Sequence, residues 1–134
     1  MTREIILMAG NQITAGGTAE TEAWADGNAI EAFGLYAIDV RVSVFYSGAA
    51  DAAAVLNVYS SPDGLANSWD TVPFDAFTIP LDAGNKVQRT VRIRPVGAYL
   101  KFELENPGSV NLCGAGGYMV AGTPVTYTPG SLEA

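Results

Sequence analysis

The sequence holds no histidine and only one cysteine in 134 residues. The first absence excludes Ser-His-Asp and Cys-His machinery, imidazole metal ligation and an imidazole pH switch. The second excludes an internal disulfide, a Cys-x-x-Cys motif and a thiolate cluster. Charge is scarce too: 16 % of residues are charged, where an ordinary soluble domain has about 25 %. Long apolar runs are missing. No window approaches the ~18 apolar residues of a membrane-spanning helix. The run from Ile5 to Ala9 is shorter than the apolar region of about 7–15 residues in a signal peptide. These absences argue against an enzyme, a metal or cofactor site and a membrane span.

What is present is apolar and finely punctuated. Hydrophobic residues make up 49 % of the chain, and 15 glycines and 7 prolines interrupt it at short intervals. This length supports one domain with its own core. The net charge of -7 disfavours a nucleic-acid partner, because an acidic domain repels phosphate backbones. The charge is uneven. Residues 1–85 carry eleven carboxylates against Arg3 and Arg41, whereas residues 86–134 carry five cations against three carboxylates. The basic stretch reads as a solvated strand face, with docking of an acidic partner as the sharper alternative.

Apolar positions alternate and no helical period is sustained, which predicts an all-β antiparallel sandwich, jelly-roll or related, of about eight short strands. In Tyr36 to Tyr46, Ile38, Val40, Val42, Val44 and Tyr46 share one face and Asp39, Arg41 and Ser43 the other. Val55 to Ser61 and Phe74 to Ile79 follow, separated by the turn Pro62-Asp63-Gly64. In Gln88 to Arg94, Val91 and Ile93 face one side. In Tyr99 to Glu105, Leu100, Phe102 and Leu104 point inward and Lys101, Glu103 and Glu105 outward. Gly114 to Gly117 reads as a hairpin turn between Val110–Cys113 and Tyr118–Ala121. Thr18 to Trp24 alternates weakly, as an edge strand would. Three regions result: an N-terminal arm or edge strand over 1–12, the sandwich over 13–122 and an extended, proline-broken tail over 123–134.

Few residues suggest chemistry. Asp26, Asp63, Asp70, Asp75 and Asp82 lie beside turn formers, where Asp bonds its own backbone, and read as turn residues rather than glycosidase carboxylates. Asp63, Asn67 and Asp70 could offer oxygens to calcium but lack the ligand spacing of an EF-hand loop. Cys113 reads as a small buried hydrophobe. Gly10 to Gly17 and Gly114 to Gly117 lack the Lys-Ser/Thr of a phosphate loop. Trp24 and Trp69 are the candidates for stacking on a sugar ring.

Leu56-Asn57-Val58-Tyr59-Ser60-Ser61-Pro62-Asp63-Gly64, followed by Trp69-Asp70-Thr71-Val72, resembles the strand, Ser-x-Asp-Gly, Trp, strand hairpin of discoidin-like sandwiches and of small bacteriophage virion proteins. Arg94-Pro95-Val96-Gly97 leading into Tyr99-Leu100-Lys101-Phe102, and then Asn106-Pro107-Gly108, is similar to the later pattern of the phage proteins. The resemblance covers residues 36–120. Discoidin domains often carry a terminal disulfide, which this chain cannot form, so the phage structural family is the nearer one. That resemblance implies a non-enzymatic virion protein on the capsid surface, made in the host cytoplasm. It would be a head decoration (cement) protein bound to the major capsid protein or other virion subunits, and a homo-oligomer, with three copies as the expectation. The interface residues expected are Arg3, Ile5, Ile6, Leu7 and Met8 of the arm and Pro124, Val125 and Tyr127 of the tail, acting by strand addition. The alternative is a carbohydrate-binding module, free or at a fibre tip, using Trp69 or Trp24.

Overall fold

A computed structural model describes residues 4–20, 30–31, 35–65 and 67–126. The strands are β1 (Ile5–Gly10), β2 (Thr18–Glu20), β3 (Ile30–Glu31), β4 (Leu35–Tyr46), β5 (Ala54–Ser61), β6 (Asp75–Ile79), β7 (Lys86–Ile93), β8 (Tyr99–Glu105) and β9 (Cys113–Thr126). They form two antiparallel sheets. One has the order β1-β9-β4-β7; the other has the order β2-β8-β5-β6, with β3 also paired to β8. β2 and β3 lie along different stretches of β8, so the nine strands occupy eight positions. Only β2–β3 and β5–β6 stay within a sheet; every other connection crosses to the opposite one.

The alternation in β4 aims Ile38, Val40, Val42, Val44 and Tyr46 into the space between the sheets. Leu56 and Val58 from β5, Ile93 from β7, Leu100, Phe102 and Leu104 from β8 and Val120 from β9 meet them in one core. Each such side chain contributes about 1.5–3 kcal/mol by leaving water. The Tyr46 hydroxyl ties the sheets together: it donates to the Ile79 carbonyl and accepts from the Ala54 amide, at the paired ends of β5 and β6. Arg89 stands opposite Val42 at the edge strand β7 and donates to the Thr78 carbonyl at 2.7 Å, linking the β6 and β7 edges.

Two expectations need correction. Gly114 to Gly117 does not turn a hairpin. β9 runs through it, and the four residues bulge away between the pairs Val44↔Tyr118 and Tyr46↔Cys113. Gly116 and Gly117 sit at φ 104° and 65°, a backbone that glycine adopts without strain. The expected tail boundary at 123 falls inside β9, whose Thr123, Pro124, Val125 and Thr126 pair with β4. Proline is tolerated there because no described strand flanks that stretch on its other side. Tyr127 and the rest of the expected tail lie outside the described residues.

Candidate interaction surface

β1 is an edge strand, and among the described residues nothing pairs with its outer side. It holds to β9 through Ile5↔Gly122, Ile6↔Ala121, Met8↔Val120, Ala9↔Met119 and Gly10↔Tyr118, with a register shift between Ile6 and Met8. Leu7 occupies that bulge and packs against the core beside a buried Met8. Ile5 and Ile6 remain 55 % and 64 % exposed. The expected arm residues therefore divide: Leu7 and Met8 anchor the strand, and Ile5 and Ile6 face solvent. Arg3 lies outside the described residues.

The start of β1 is fastened electrostatically. Arg41 of β4 and Ile6 both stand opposite Ala121, whose small side chain leaves the guanidinium room to cross β9. Arg41 donates to both Glu4 carboxylate oxygens, at 2.8 and 2.6 Å, and to Gln88 of β7 at 3.0 Å. This bidentate partner holds the Glu4 carboxyl below its ordinary range. Arg92 makes the same paired contact with Asp39, whose pKa is lowered for the same reason. The cations of the basic stretch are thus largely absorbed: Lys86 lies over Phe45, Arg89 over Phe77 and Arg94 over Tyr36.

Pro124 and Val125 lie half-buried in β9 on the side of the same sheet that β1 continues. The topology therefore brings the two expected interface stretches, distant in sequence, onto one edge. The other expected sites fare differently. Trp69 is 9 % exposed, because residues 70–74 fold back along β5 through Asp70 N–H to Ser60 and Phe74 N–H to Val58. Its ring offers no open stacking platform, and the carbohydrate reading loses that residue; Trp24 lies outside the described residues. Asp63 is a turn residue, accepting from the Leu65 amide and from Ser61 and Ser68, and these bonds lower its pKa. Among the described residues, no three Asp, Glu or Cys side chains gather as a metal site. Cys113 is buried, and burial pushes its thiol up to about 11. No described helix is long and apolar enough to cross a membrane.

Two features had escaped the sequence reading. Lys101 points outward from β8 but is only 1 % exposed. Its ammonium lies 2.7 Å from Glu20 and over the Tyr59 ring, and burial pulls its pKa down to about 7. Asn57 and Tyr59 donate to Glu103 on the same face. Asn106, also 1 % exposed, gathers the carbonyls of Ile13, Thr14 and Val110 around its amide.

No family model matches the chain, and no curated protein matches it. Among solved structures, the crystal structure of the PBSX exported protein XepA is similar, with a TM-score of 0.60 and 13 % sequence identity. The match covers 94 % of this chain and 38 % of that one, so the present chain spans well under half the length of that protein. At this identity the likeness is one of fold.

Proposed function

We propose that this chain is a non-enzymatic virion structural protein, a decoration protein that binds the outer surface of a phage capsid. The observation that carries the reading is the β1 edge: an uncharged edge strand with Ile5 and Ile6 exposed, on a sheet whose nearby charges are held in the Glu4–Arg41 and Asp39–Arg92 pairs. Strand addition is the binding mode such an edge supports. The fold shared with the PBSX exported protein XepA is compatible with this reading. We read the strand order, four positions per sheet with crossing connections, as a jelly roll. Partners under this reading are the major capsid protein or neighbouring virion subunits. Repetition over a lattice converts weak single contacts into durable coverage.

The test is quantitative mass spectrometry of particles purified from the source of this chain. A constant ratio of this chain to the major capsid protein, retained through gradient and salt washes, is expected. Absence from the particles, with the protein recovered free, overturns the proposal.

A further inference from the structure

The sheet that begins with β1 ends with β7, and among the described residues nothing pairs with the outer side of β7 either. The two edges differ in charge. Between Asp82 and Glu103 the chain has no carboxylate. Lys86, Arg89 and Arg92 lie on β7 and Arg94 just beyond it, and all of them are exposed. Among the described residues, only Arg92 meets a carboxylate, that of Asp39 opposite it. Lys86, Arg89 and Arg94 lie over the rings of Phe45, Phe77 and Tyr36. A ring face orients a cation and leaves its charge in place. Arg89 stands at a core-facing position opposite Val42, and its guanidinium reaches out of the sheet to the Thr78 carbonyl of β6. Its charge therefore sits at the gap between the two sheet edges. An uncompensated cationic row thus lines one open strand of a chain whose total charge is -7.

We propose that the β7 edge docks an extended acidic segment of a partner protein, added as a further strand of this sheet. Charge complementarity selects this occupant. Cationic side chains on an edge deter pairing, but the deterrence has a sign. A neutral or basic strand would bury or repel the charges of Lys86, Arg89 and Arg94, whereas carboxylates along an incoming strand neutralise them. The open main-chain row supplies alignment, and the cations supply selectivity. A nucleic acid matches less well: its backbone cannot extend the ladder, and a net charge of -7 repels a long polyanion. A second copy also matches less well, since its β7 is cationic and its β1 carries no charge. β1 and β7 are opposite edges, so one partner at each leaves the other edge open. The inference does not rest on the virion reading. Peptide binding is read on the purified protein and the virion reading on particles, so either can fail alone.

The probe is a synthetic capped peptide of alternating glutamate and threonine, titrated into the isotope-labelled full chain and followed by amide chemical shifts. Peptides with glutamine or lysine in place of glutamate are the controls. Shifts concentrated on residues 86–94, weakened by raising salt to about 0.5 M, are expected for the acidic peptide alone. The double variant Lys86→Gln, Arg94→Gln should weaken its binding roughly tenfold. Both side chains are exposed, so near-ultraviolet circular dichroism should show the fold intact. If that variant fails to fold, Lys86→Gln alone, with a smaller loss, is read the same way. No shifts with the acidic peptide, shifts centred on another face, equal binding of the glutamine peptide, or a double variant that binds as well as wild type overturns the inference. So does a thymidine oligonucleotide of equal charge that shifts the same amides at lower concentration, which would make the edge a phosphate-backbone site.

Discussion

Replacing Asn106 by alanine should cost this domain about 3 kcal/mol. The figure follows from which groups lose their only partner. Asn106 Nδ2 donates to Ile13 at 3.1 Å, Thr14 at 3.1 Å and Val110 at 2.8 Å, and its Oδ1 accepts from the Gly108 amide at 3.0 Å. Two of these partners keep another bond. The Ile13 carbonyl also accepts from Leu112, and the Thr14 carbonyl from Gly17. The Val110 carbonyl and the Gly108 amide, both partly buried, lose the only bonds described for them. An orphan costs about 1–3 kcal/mol when fully buried, so about 1.5 kcal/mol is expected for each. For a chain of this length, about 3 kcal/mol corresponds to a melting temperature roughly 10 °C lower. Asn106→Asp should be worse than alanine although it is nearly isosteric. It keeps the acceptor for Gly108 but turns an oxygen toward three carbonyl oxygens. Thermal and urea unfolding of both variants measures this, with an unchanged urea slope marking a native-state effect. A loss below about 1 kcal/mol for alanine, or an aspartate variant more stable than the alanine one, would refute the reasoning.

Other substitutions probe separate parts of the fold. The depressed pKa of Lys101 means that the unfolded chain holds its proton up to about pH 10.4, while the folded chain releases it near 7. Stability should therefore rise with pH from about 7 until about 8.5, above which ionisation of the Cys113 thiol in the unfolded chain opposes it, and Lys101→Met should abolish that rise; urea titrations across this window check it. Gly117→Ala should destabilise by at least about 1–2 kcal/mol in thermal unfolding. It forces a side chain into left-handed backbone, where the added Cβ would collide with the Gly10 carbonyl.

Legibility from sequence tracked how local each cause was. The inward face of β4 and the Leu100, Phe102, Leu104 row were readable because alternation is written into the strand itself. The face of Lys101 was readable in the same way, but its burial was not. Burial depends on Tyr59 standing opposite it and on Glu20 reaching across from β2, and both are matters of long-range register. Gly114 to Gly117 misled because a bulge and a hairpin turn use the same left-handed glycines; only the continued pairing with β4 tells them apart. The polar neighbours of Trp69 suggested exposure, and the loop folded back along β5 hides the ring. The candidate edge was half visible: the apolar run at Ile5 stood out, whereas its meeting with residues 123–126 on one side of a sheet follows from topology.

The central claim is that this sandwich works as a particle surface. Cryo-electron microscopy of particles purified from its source tests that most directly. Density of this fold on the outer face of the capsid, at lattice-related positions and with the β1 edge covered, is the expected result. Particles whose outer surface lacks such density, with the chain absent or enclosed within, would contradict it.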